Sequence, residues 1–126
     1  MDTPGQRARG FVTRAETDFR KGNLESARKN LEKSFSLKSE AEIYAGDLWR
    51  ENHQDFTAAM LDMSVLWYKL GELAEGDRLA SHAQAWADDP NCSSQRNFER
   101  SFRIRNGKFW YFLSGLGGRF RSLVPA

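Results

Sequence analysis

Histidine, cysteine and paired carboxylates are the side chains able to move protons, attack a substrate or hold a metal, so their spacing comes first. The chain has two histidines, His53 and His82. Neither has a second donor three or four residues away, the spacing that aims two ligands from one helix face at a zinc ion. His53 reads as a turn residue and His82 as a residue on the polar side of a helix. The single cysteine, Cys92, excludes an intramolecular disulfide and a multi-cysteine metal site. Only Arg96 stands close enough in sequence to lower its pKa, and a packed or loop thiol is the expectation. The acid pairs Glu72/Glu75 and Asp88/Asp89 fall at helix ends or turns, where solvation accounts for them. No Gly-x-Ser-x-Gly and no Walker loop occurs, and Leu116-Gly117-Gly118-Arg119 lacks the Lys-Ser/Thr that would make it a phosphate cradle. The reading is a chain with no catalytic residue, no metal and no cofactor.

The elements that would position a binding surface are helical. Ala8, Phe11, Val12, Ala15 and Phe19 keep a helical period after Thr3-Pro4, a cap followed by a first-turn proline. Gly22-Asn23 ends that helix as a left-handed cap does. Leu24, Ala27, Leu31, Ser34, Phe35 and Leu37 mark a second helix running back against the first. The stretch 43–67 reads as another hairpin: Ile43, Tyr44, Ala45, Leu48 and Trp49 on one helix, a polar link at Glu51 to Gln54, then Phe56, Ala59, Met60, Met63, Leu66 and Trp67 on the next. Leu24, Ala27, Leu31 and Ser34 recur as Phe56, Ala59, Met63 and Leu66 thirty-two residues on, and Ala15 as Gly46 thirty-one on, the period of a stacked helical array. A further helix over 72–87 ends at Asp88-Asp89-Pro90-Asn91. A competing frame has Met60, Met63, Ser64 and Trp67 before Gly71-Glu72-Leu73, which makes 56–70 the first helix of a pair instead.

Small Gly46, aromatic Trp49, Asp55-Phe56 at a turn, then Ala59, Met63 and Leu66 resemble a tetratricopeptide repeat, and Gly22-Asn23-Leu24 with Ala27 resembles its turn more closely. The resemblance covers residues 8 to 70. It implies an all-α fold, a right-handed stack of antiparallel helix pairs, with repeats at 8–38 and 39–70 and a third or capping helix at 72–88, all within 1–90. It also implies a cytoplasmic adaptor that binds a peptide or helix of another protein in a concave groove. By matching positions, that groove would be lined by Arg9, Val12, Glu16, Phe19 and Arg20 in the first unit and by Ile43, Asp47, Arg50 and Glu51 in the second. Asp77, Ser81 and Gln84 would serve in a third. Family members that clamp a chaperone's terminal carboxylate carry Asn where Glu16 and Asp47 stand, which disfavours that partner.

Residues 91–126 differ in character. They hold seven bases against one acid, whereas 41–90 hold three against ten. Asn106-Gly107 between Phe102 to Arg105 and Lys108 to Phe112 signals a short β-hairpin, while Phe98 and Phe102 keep helical spacing. Three roles stay open for this basic aromatic segment: covering the apolar end of the array, meeting an anionic membrane surface, or stacking and neutralising a nucleic acid. In the last two, Arg103, Arg105, Lys108, Trp110, Tyr111, Arg119 and Arg121 would make the contacts. A second copy of the chain is a further candidate to close the apolar end, giving a homo-oligomer. With 126 residues the chain is large enough for one globular domain. Its start, with Arg7, Arg9 and Arg14 and no apolar core, does not read as a secretory signal, and no apolar run approaches the roughly eighteen residues of a membrane helix.

Overall fold

A computed structural model describes residues 2–89, and these are all-helical. Helix α1 spans Pro4–Arg20. Thr3 opens it by accepting the Gln6 N–H on its hydroxyl while the Gln6 side chain accepts the Thr3 N–H, so two donors that the helix itself leaves unpaired are satisfied. Gly22, at φ +83°, reverses the chain into α2, Leu24–Ser36. A buried Leu37 joins α2 to the short α3, Lys38–Ile43. Residues 44–48 then lead into α4, Trp49–Lys69, and Gly71, at φ +84°, turns the chain into α5, Leu73–Ala87.

The expected hairpin over 43–67 does not form. Glu51, Asn52, His53 and Gln54 lie in the first turns of α4, which continues unbroken to Lys69. None of these four residue types breaks a helix, and the polarity of the run has another use. Asn52 is buried, accepts the Gly5 N–H on its side-chain oxygen at 2.8 Å and donates its amide to the Ala41 carbonyl at 3.1 Å. It therefore ties α1, α3 and α4 together. The real break falls earlier, where Tyr44 is extended and folds its ring over Gly46, leaving no room there for a Cβ. Gly46 thus serves a link and not a helix crossing.

The competing frame describes the pairing. Helices α1 and α2 form one antiparallel hairpin and α4 and α5 a second, each closed by a left-handed glycine. Gly22 and Gly71 are forty-nine residues apart, not the thirty-two of the expected repeat, because α3 and its link lie between the hairpins. Contacts at Gly5 with Asn52 and at Arg9 with Asp55 run in the same direction along α1 and α4, so these two are parallel neighbours. Arg28 with Glu72, and Phe35 with Arg78 and His82, give the same sense for α2 beside α5.

Close backbone approach occurs at glycines. A Cβ on Gly5 would meet the Asn52 carbonyl, and one on Gly76 would fall within the Tyr68 ring. Ala27 and Ala59 are both fully buried as well, so the small residues on which the sequence reading rests do sit inside. Phe56, Leu31, Met60, Met63 and Leu79 fill the core between the hairpins, with Phe11, Phe19, Phe35 and Trp86 packed at its edges. Each hairpin is also bridged by a buried serine: Ser34 of α2 donates to the Ala8 carbonyl of α1 at 2.8 Å, and Ser64 of α4 donates to the Gly76 carbonyl of α5 at 2.7 Å.

Candidate functional site

Among the described residues two surfaces could meet a ligand; of the expected groove residues only Glu16 and Arg20 stand on the first, and none lines the second. On α1, Glu16 and Arg20 are exposed, but Val12 is buried and Phe19 is half-buried against the core. Arg9 is engaged across the hairpins by the Asp55 carboxylate at 2.9 Å. The other expected lining residues leave the groove because the second pair begins later than its spacing suggests. Ile43 ends α3 and is 81% exposed, Asp47 lies in the link, and Arg50 and Glu51 stand in the first turn of α4, Arg50 with its guanidinium 5.3 Å from the Trp49 ring centre. Asp77, Ser81 and Gln84 sit on α5, the second helix of its hairpin and not the first. Asp77 accepts the Tyr68 hydroxyl, whose own acidity is suppressed by burial and by that carboxylate, and Gln84 donates to Asp88 at 2.8 Å. Arg103, Arg105, Lys108, Trp110, Tyr111, Arg119 and Arg121 lie outside the described residues.

With the hairpins aligned on their glycines, Glu16 and Arg20 of α1 correspond to Val65 and Lys69 of α4. Arg20 and Lys69 are exposed and Val65 is half-buried. The four thus hold equivalent positions of mixed polarity on the two parallel helices.

The second surface is a cleft of about 350 Å³ at the end of the α4–α5 hairpin away from Gly71. Ala41 and Glu42 of α3, Tyr44 of the link, Trp49, Asn52 and His53 of α4, and Trp86 and Asp89 at the end of α5 line it. Helix α3 is held there by the Asn52 amide, and Trp86 by its contacts with His53 and Phe56, at ring-centre distances of 4.5 and 5.1 Å. His53 is therefore neither in a turn nor on an open surface. Its Nε2 faces the Asp89 carboxylate at 3.7 Å, and its buried Nδ1 has no hydrogen-bond partner among the described residues. Burial lowers the imidazole pKa, and Asp89 opposes this only in part. Glu42 pairs with Lys38 one turn away. Among the described residues no group of acidic, histidine or cysteine side chains is arranged to hold a metal ion, and no helix is long and apolar enough to cross a membrane.

The sequence reading gave His53 no role and missed Asn52 altogether. A buried amide inside a polar run has no signature in hydrophobic period, which reads polarity as exposure. Trp49 is exposed and Trp86 packs at the edge of the core, and both line the cleft. Comparison with protein-family models, with curated proteins and with solved structures finds no match to this chain.

Proposed function

We propose that this chain is a protein-interaction scaffold of tetratricopeptide-like build, with α1 and α4 as the first helices of its two units and α3 with its link inserted between them. The observation that carries the reading is the parallel placement of α1 and α4, each turned back by an equivalent glycine onto a second helix. Two such hairpins bury one continuous core and leave the first helices side by side, which is the arrangement that presents an extended rigid face to a peptide or helix. Rigidity matters because a preformed face loses little conformational entropy on binding, so a few anchors suffice. Glu16, Arg20, Val65 and Lys69 supply a polar face with one apolar contact, suited to a partner of mixed charge. The reading makes the protein a binder and not an enzyme, consistent with the spread of its titratable groups into ion pairs and helix ends.

The test is to place a photo-crosslinking benzoylphenylalanine at Arg20 and Lys69 on the shared face, and at Lys29 on the exposed side of α2 as a control. Irradiation in cells should give one discrete adduct from the two face positions and not from position 29. The same adducts from position 29, or none from positions 20 and 69, would overturn the assignment.

A further inference from the structure

Among the described residues the exposed large apolar side chains are Leu24, Ile43, Leu48 and Trp49, and three of these lie within the seven residues that carry the chain from α3 into α4. Exposed apolar residues scattered singly need no explanation, but a contiguous group beside a cleft does. This group borders the cleft that Tyr44, Trp49, His53 and Trp86 line with aromatic rings and that Glu42 and Asp89 line with carboxylates. Among the described residues no Lys or Arg lines it.

We infer that this cleft is a second binding site, independent of the shared α1–α4 face, and that it takes a cationic side chain, an arginine of a partner protein's basic segment, with its neighbouring apolar residues on Ile43 and Leu48. Three things support the choice of occupant. Ring faces attract guanidinium groups through their quadrupole, and among the described residues that contact occurs three times, with Arg14 on Phe11, Arg50 on Trp49 and Arg78 on Phe35 at 5.4, 5.3 and 4.8 Å. The charge around the cleft is negative among the described residues: Glu42, Asp47, Glu51, Asp88 and Asp89 stand on the four segments that form it, against Lys38 and Arg50, while Glu40 is paired with Arg7. The C-terminal end of α5, with its unpaired carbonyls, lies at the same place, since Trp86 and Asp89 line the cleft.

His53 completes the floor. With Asp89 beside Nε2, the proton of the neutral ring belongs on that nitrogen, which leaves Nδ1 as an acceptor without a donor. The depressed pKa also means that the floor adds no positive charge at neutral pH.

The experiment uses the full chain with ¹⁵N-labelled tryptophan indoles, each assigned by a single Trp→Phe substitution, and titrates N-acetyl-arginine methylamide against its uncharged citrulline counterpart. The Trp49 and Trp86 indoles should shift together and saturate in the millimolar range, with the arginine compound binding at least about tenfold tighter than citrulline, or about 1.4 kcal/mol. The buried Trp67 indole should stay still. The double substitution Glu42→Gln with Asp89→Asn keeps side-chain shape and should weaken arginine at least about fivefold while leaving the remaining indole spectrum unchanged. No saturable shift up to about 50 mM, or equal binding of the two compounds, would overturn the site, since a guanidinium held by rings and carboxylates must outcompete its neutral isostere. If the crosslinking at positions 20 and 69 fails while this titration succeeds, the cleft stands and the scaffold face falls; the reverse result separates them the other way.

Discussion

Asn52→Ala tests whether a polar residue, and not an apolar one, joins the two hairpins. Asn52 is 2% exposed, and its side chain serves two backbone groups on two other helices, the Gly5 N–H and the Ala41 carbonyl. Gly5 lies in the first turn of α1, where the helix has no acceptor of its own to offer. Truncation strands both groups in the interior, each at about 1–3 kcal/mol. The expected loss is therefore about 2–6 kcal/mol, and at about 4 °C per kcal/mol, between the values for smaller and larger domains, Tm should fall by at least about 8 °C. Urea and thermal unfolding followed by circular dichroism at 222 nm measure this directly. Glu51→Ala is the internal control: one residue away and exposed, it should stay within about 0.5 kcal/mol of the parent. If Asn52→Ala unfolds within about 0.5 kcal/mol of the parent, the three-helix tie carries no weight and the placement of α3 against α4 loses its main cause.

Two glycines should respond in opposite senses. Gly76→Ala drives a methyl into the buried Tyr68 ring and should destabilise by about 1–3 kcal/mol, whereas Gly10→Ala, with open space around it in mid-helix, should stabilise by about 0.5–1 kcal/mol; equal effects in denaturant unfolding would refute the close approach at Gly76. The Arg9–Asp55 pair, part-exposed on both sides, should show a coupling of only about 0.2–1 kcal/mol in a double-mutant cycle, and a larger value would mean that it is better shielded than the structure has it. His53 and His82 both have pKa values below the ordinary 6.5, by burial first and, for His82, by the Lys38 and Arg78 charges as well. The unfolded chain then binds protons that the folded one refuses, so stability should fall as pH drops from about 7.5 to about 5.5, with a smaller slope in His53→Gln; a flat profile across that window would contradict the burial of His53.

The helix-forming stretches outside 43–56 could be read from the sequence because their signals are local. Thr3-Pro4 opens α1, Gly22 closes it, and Gly71 closes α4, each by a backbone requirement that one or two residues reveal. The pairing was harder to read because it depends on which chain break is real. Four polar residues at 51–54 look like a link and are helix, whereas Tyr44 to Leu48, rich in apolar side chains, look like helix and are the link. What decides between them is a tertiary contact, Asn52 with Gly5 forty-seven residues earlier, which no local pattern encodes. The cleft was illegible for the same reason: Glu42, His53 and Trp86 come together only once α3 is folded back and α5 has returned along α4.

The buried hydroxyls of the two hairpins point in opposite chain directions. In the first the donor belongs to the returning helix, and in the second to the outgoing one. A mistaken partnership of α1 with α5 would bring together two surfaces with neither hydroxyl, and one of α2 with α4 would bring both and lack the two carbonyls that now receive them. Apolar contact alone would tolerate either error, since Ala, Leu and Met fit almost any neighbour of suitable size. Ser34 and Ser64 therefore act as keys of opposite cut that favour α1 with α2 and α4 with α5 over the crossed pairings, in which a buried hydroxyl or carbonyl would be left without its partner.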